Sequence, residues 1–196
     1  RGYPYVYSGY ETLVKEVSER LVKKGHKVRV YCHSSLFKNK PRKVNGISLV
    51  YTPSIETKYL SQFVNSFFSF IHVCFSSFDI IFIVNSANGP FGILTKIFRK
   101  KTCINVDGLE WLRPKWKGLG SIYFLFASKL ATIFFDEIVT DSLEMNKIYR
   151  SQFKKDSSII AYGSTMTNTE QKTILNKYKL EEKSYYLIVG RLIPDN

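Results

Sequence analysis

The stretch NVDGLEWLRPKW, from Asn105 to Trp116, sets two acids and two indoles among cations directly after an apolar run. Residues of these types could handle a sugar. Asp107 could accept a proton from a sugar hydroxyl or clamp it, while Trp111 and Trp116 have flat faces that pack on sugar rings. Arg113 and Lys115, with Lys117 one step beyond, supply charge for phosphates. The same letters also spell a turn, because Asp-Gly is a turn pair and Asp107 with Glu110 fits a D-x-x-E helix cap. The indoles and cations favour a ligand, since a plain turn needs neither.

Four further loops carry polar groups. Asn85, Ser86, Asn88 and Gly89 form a tight turn before Pro90 that could bond sugar hydroxyls. Asp141 and Ser142, with Glu144, read first as a helix cap, and Tyr162-Gly163 closes another apolar run. Gly2 to Gly9, including Ser8, precedes a helix and could present backbone N–H groups and a positive helix end to an anion; a capped turn without a ligand is the alternative. A nicotinamide site does not fit, because Gly2 and Gly9 do not make G-x-G-x-x-G and the next strand ends in Cys32-His33 without an acid. A P-loop fails for want of Gly-Lys-Ser/Thr. His26 follows a helix-stopping glycine and His33 ends a strand, so both read as structural.

These loops need elements to position them. Strand-like runs lie at Lys27–Cys32, Ile47–Tyr51, Asp79–Val84, Thr102–Val106, Glu137–Thr140 and Ser158–Ala161. Tyr10, Leu13, Val14, Val17, Leu21 and Val22 share one helical face, opened by the Ser8/Glu11 capping box and stopped at Gly25. Further helices are expected at about 58–77, 91–99, 119–135 and 142–153. Asn45-Gly46 signals a hairpin. The alternation predicts an α/β fold with a doubly wound, mainly parallel, Rossmann-like sheet. Ligands then bind at the carboxyl ends of the strands, which gathers the polar loops around one open hollow shared by Gly2, Asp107 and Trp111.

The helix over 58–77 has an uncharged polar stripe, Gln62, Asn65, Ser66, Ser69, His72 and Ser76, among phenylalanines. Burial against the sheet is the first expectation and contact with lipid the second. The 29 Lys and Arg against 16 Asp and Glu give a formal charge of +13, which suits nucleotide phosphates, anionic lipid or nucleic acid. No nucleic-acid motif appears, and nucleic acid is not the expected partner. Cys32, Cys74 and Cys103 lack metal or disulfide spacing, so no metal is expected and the thiols fit a reducing cytosol.

The segments RGYPYVYSGYETLVKEVSERLVKKGHKVRVYCHSS, NVDGLEWLRPKW and YYLIVGRLIPDN together resemble the N-terminal half of GT-B glycosyltransferases. Within them the chain is similar to the rhamnosyltransferase-like branch of retaining family four. Arg1-Gly2 matches the end of a Gly-Thr-Arg-Gly turn, and Ser8-Gly9-Tyr10-Glu11-Thr12 varies a Gly-Gly-Phe-Glu-Thr motif. The resemblance implies one half of a GT-B fold. Residues 1–180 would be an acceptor-side domain lacking its first strand, and 181–196 the hinge and first strand of a nucleotide-sugar domain.

The resemblance further implies transfer of a hexose or deoxyhexose, such as rhamnose, from a nucleotide sugar, without a metal or other cofactor. The acceptor would be polyprenyl-diphosphate-linked or another glycan, in bacterial surface polysaccharide synthesis. The isolated fragment would be inactive. Asp107 would sit by the acceptor hydroxyl, where many relatives carry a histidine, with Glu110 as the second candidate. Gly2, Ser8 and Gly9 would face the donor diphosphate, and Asn85, Asn88, Trp111, Arg113 and Trp116 the acceptor. Asp141, Ser142, Tyr162 and Gly163 would stand on the donor side. Charge and aromatic helices add an expectation of peripheral attachment to the inner face of the cell membrane. Two alternatives differ in class: a basic membrane- or nucleic-acid-binding module without catalysis, and a GT-B nucleotide-sugar epimerase.

Overall fold

The apolar runs become strands. A computed structural model describes residues 1–4, 9–55, 57, 60–164 and 172–188. Strands β1 (Arg29–His33), β2 (Lys43–Val44) and β3 (Ile47–Thr52) form one sheet in the order β1-β3-β2. Strands β4 (Ile81–Val84), β5 (Thr102–Val106), β6 (Glu137–Thr140) and β7 (Ser158–Ile159) form a second in simple sequence order. Every pair is parallel except β2 with β3. That pair is the hairpin marked by Asn45-Gly46, where both residues take positive φ, 47° and 80°, as a type I′ turn requires.

No ladder joins the two sheets among the described residues. They meet instead through helix α2 (Leu60–Cys74), which carries the chain from β3 to β4. Helices α1 (Gly9–Lys23), α3 (Gly92–Ile97), α4 (Leu119–Phe134) and α5 (Leu143–Phe153) fill the other connections, with α6 (Lys172–Lys177) following β7. The fold is α/β, with a parallel four-stranded sheet flanked by helices, and corresponds to one half of a GT-B architecture. Tyr185–Ile188, expected to open a new strand, pair with nothing among the described residues; the rest of that stretch, with residues 189–196, lies outside them.

Two apolar clusters hold the sheets. Ile83, Ile104, Val106 and Ile138 lead the larger, and Val30, Cys32, Ile47 and Leu49 the smaller. Central strand β5 is buried on both faces, which explains why its sequence, TCINV, carries no charge and no polar/apolar alternation. Helix α1 ends in a Schellman motif, with His26 N–H on the Leu21 carbonyl (3.0 Å) and Gly25 N–H on that of Val22 (3.0 Å). His26 is therefore a structural position.

The turn after β4 supports the site from below. Residues Ser86–Phe91 form a 3-10 helix seated directly against α4. A β-carbon at Gly89 would overlap the carbonyl oxygen of Ala127, so only glycine admits this approach. Replacing Gly89 by alanine should destabilise the protein by about 1–3 kcal/mol, the range for overpacking, read as a lower urea midpoint at unchanged slope. A wild-type midpoint would show that the packing can shift at no cost.

Candidate functional site

Parallel strands end together, and their carboxyl ends bring Asn105, Asp107, Asp141 and Tyr162 into one neighbourhood. Asp107 follows β5, Asp141 follows β6, and Tyr162 lies three residues beyond β7. The Tyr162 hydroxyl has one proton and two acceptors, Asn105 Oδ1 at 3.0 Å and Asp107 Oδ2 at 3.2 Å. From the start of α1, the Tyr10 hydroxyl donates to the Asp107 backbone carbonyl at 3.2 Å. Two phenols thus fix Asp107, one on its backbone and one on its carboxylate.

Asp107 is half-buried. Burial pushes its carboxyl above the usual range, the charges of Asp141 and Glu110 push the same way, and the Tyr162 hydrogen bond and Arg113 pull against them. Burial, then the Asp107 charge, push the Tyr10 and Tyr162 phenols up strongly, so both remain hydroxyls at physiological pH. The arrangement can hold a hydroxyl-bearing ligand beside a carboxylate whose proton affinity is raised.

Glu110 is differently placed. It is buried, and Arg113 (2.6 Å), Lys115 (3.3 Å) and the Trp116 indole N–H (2.7 Å) all converge on its carboxylate. Burial alone would raise its pKa; the hydrogen bonds from Arg113 and Trp116 and the Lys115 charge outweigh that and leave it below the usual range. A carboxylate so occupied cannot serve as the second candidate for proton transfer. It is a latch that folds the 107–116 loop back on itself.

The latch corrects the reading of the indoles. Trp111 is 8% exposed, sits in the larger core and meets Phe153 edge-on at 5.9 Å. Its face is closed to a sugar ring. Trp116 packs on Phe124 (4.8 Å) while its N–H serves Glu110, and Arg113 is neutralised by the same acid. The shared hollow expected of Trp111, Asp107 and Gly2 therefore reduces to Asp107 beside the start of α1.

Asn88 is also corrected. It is buried, donates to the Val84 carbonyl (2.8 Å) and accepts from the Ser66 hydroxyl (2.7 Å), leaving little to offer an acceptor sugar. Asn85, at a φ of 77°, spends its side-chain oxygen on the Ala87 N–H (2.9 Å) to hold the 3-10 turn. Ser142 is the α5 N-cap, accepting from Met145 N–H (3.3 Å) and donating to Asp141 (3.2 Å). Gly163 is exposed beside Tyr162.

At the amino end, Gly2 packs on β1, where a β-carbon would come within 2.8 Å of that of Cys32. Gly9 opens α1 with free space around it, while Ser8 lies outside the described residues. Tyr10 and Asn105 belong to the site although their types did not announce it. Tyr10 counted among an apolar helix face, and the one signal for Asn105 was an amide inside a buried strand. A surface hollow of about 400 Å³ bordered by Glu137 and Ser158 lies at the opposite, amino ends of β6 and β7.

A family model described as "domain of unknown function (DUF1972)" matches residues 1–165. No curated protein sequence matches the chain. Among solved structures, sucrose-phosphate synthase from Thermosynechococcus elongatus is similar, with a TM-score of 0.65 at 13% identity. The match covers 81% of this chain and 43% of that one, so this chain spans under half its length. At that identity the likeness is one of fold.

The two acids should respond oppositely. Glu110, with a depressed folded pKa, stabilises above the normal carboxylate range, and that contribution is lost as pH falls through the folded value. Glu110→Ala should cost about 2 kcal/mol at pH 7, discounted because Arg113 and Lys115 are part-exposed, or about 4–8 °C in Tm. Asp107, with a raised folded pKa, costs stability when ionised; the cost disappears as pH falls into the normal carboxylate range. Asp107→Asn should raise Tm by about 1–3 °C at pH 7 and leave it unchanged near pH 3. Thermal melts at both pH values check the pair; parallel shifts would overturn the assignment of latch and site.

Proposed function

The chain belongs to that DUF1972 family, and we propose that it is the acceptor-side half of a glycosyltransferase. The observation that carries this reading is the half-buried Asp107 at the strand-end edge of a GT-B half-fold, its carboxylate held by Tyr162 and its backbone carbonyl by Tyr10. A raised proton affinity makes Asp107 a better acceptor for the proton of an attacking hydroxyl than an ordinary surface aspartate.

In the proposed reaction the acceptor hydroxyl oxygen attacks the anomeric carbon of a nucleotide sugar. The bond from that carbon to the diphosphate breaks, its electron pair leaves with the nucleoside diphosphate, and the hydroxyl proton passes to Asp107. The start of α1, entered through Gly2 and Gly9, faces the departing diphosphate with backbone N–H groups and the positive helix end. Asp141, Ser142 and Gly163 border the donor, and Tyr162 keeps Asp107 aimed. The formal charge of +13 fits polyanionic substrates. We assign the finer class, a hexose or deoxyhexose such as rhamnose moved to a lipid-linked glycan in surface polysaccharide synthesis, from the motif resemblance. The free, buried Cys32 and Cys74 fit a reducing cytoplasm.

The test is the full-length protein with Asp107→Asn, assayed for transfer from a panel of nucleotide sugars to lipid-linked acceptor. Loss of a positioned proton acceptor should lower kcat by about 10²–10⁴-fold with the fold intact. Near-normal turnover would end the assignment of Asp107.

A further inference from the structure

Helix α2 is apolar on both sides. Its buried face mixes Phe70, Val73 and Cys74 with a polar seam, in which Ser66 donates to Asn88 Oδ1 (2.7 Å), Asn65 donates to Thr52 Oγ1 (2.8 Å), and the Ser69 and Thr52 hydroxyls lie 3.0 Å apart. Its outer side nevertheless shows Leu60, Phe63, Phe67 and Phe68, with Phe75 just past the helix end and 77% exposed. No charged residue occurs anywhere from Leu60 to Cys74. A soluble surface helix turns charged and polar residues to water instead.

The neighbouring helices continue this face. Phe75 meets Phe98, at the end of α3, with ring centres 5.1 Å apart, and Ile97 beside it is 67% exposed. Helix α3 packs on both α2 and α4, and α4 turns Leu119, Ile122 and Phe126 outward, Leu119 at 85% exposure. Exposed apolar side chains gathered on helices packed side by side mark an interaction site.

Charge selects the partner. The three helices contain no Asp or Glu, while Lys96, Arg99, Lys117 and Lys129 are exposed on them or at their ends. No helix among the described residues is long and apolar enough to cross a membrane, and the 15 residues of α2 reach only about 22 Å against a hydrocarbon core of about 30 Å. The face can lie in the interface plane, with rings among acyl chains and cations at headgroups. A twofold contact between copies would bring the same cations against one another.

We propose that the α2–α3–α4 face is a docking surface for an anionic lipid bilayer. The inference stands on this surface alone and is read out by binding, so it survives or fails separately from the chemistry at Asp107. The full-length protein, at low salt, should co-sediment with phosphatidylglycerol/phosphatidylcholine vesicles and not with phosphatidylcholine alone. Phe67→Asp with Phe75→Asp, both at exposed sites, should weaken binding at least tenfold at an unchanged melting temperature. Lys96→Glu with Lys129→Glu should abolish the preference for anionic vesicles, which keeps the test intact should the first variant unfold. Wild-type binding by a folded form of either variant, no binding by the parent, or loss of a dimer instead of vesicle binding would each overturn the proposal.

Discussion

A phenol offers a single proton, and Tyr162 directs it at two oxygens that belong to one strand end, Asn105 Oδ1 and Asp107 Oδ2. That fork needs β5 to place both residues and β7 to deliver the tyrosine from more than fifty residues away. The parallel register is what makes this possible: β5, β6 and β7 run alongside one another, so their carboxyl ends share an edge. Tyr10 then fastens the start of α1 to the same point through the Asp107 carbonyl. One residue, Asp107, is thus the meeting place of the amino-terminal helix, the central strand and the segment that follows the last strand of the sheet.

Why the neighbouring acid behaves otherwise is a matter of counting donors. Burial raises the proton affinity of both Glu110 and Asp107, although Glu110 is the more deeply buried. Three donors surround Glu110, two of them cationic, and they prevail over burial. Asp107 receives one neutral hydroxyl and faces two like charges, so burial wins. The loop that bears both acids therefore separates them into one carboxylate with lowered and one with raised proton affinity.

This separation was invisible in the letters. The strands were legible because a buried parallel strand is mainly apolar and β-branched, and β5 and β6 fall on the residues expected of them. The hairpin at Asn45-Gly46 was legible because few residue pairs tolerate two positive φ angles. Site assignments made from residue type alone fared worse. A tryptophan beside an acid reads as a sugar platform, yet Trp111 is drawn into the core by about the largest apolar gain any side chain can offer. Asn85 and Asn88 look like free hydrogen-bonding groups until the 3-10 turn consumes them. The place of Asp107 at a strand end was legible because it depends on strand order, which the sequence pattern does encode.

Helix α2 shows what periodicity leaves open. Ser, Asn and His set among phenylalanines leave open which side turns inward: Asn65, Ser66 and Phe70 are buried, while Phe63, Phe67 and Phe68 are exposed. Directional bonds decide it: Thr52 on β3 and Asn88 in the turn after β4 are both buried, and α2 satisfies both. Rotating the helix to bury its rings would strand those groups at about 1–3 kcal/mol each. Each phenylalanine buried instead would return at most about 1.5–3 kcal/mol, less because the rings are already half-covered. The two effects are of similar size, and geometry breaks the tie, since the polar seam is also what links two sheets that share no ladder. The exposed rings are therefore a consequence of how the two sheets are joined, and helices that carry exposed lysines but no Asp or Glu give that face the charge proposed to meet lipid.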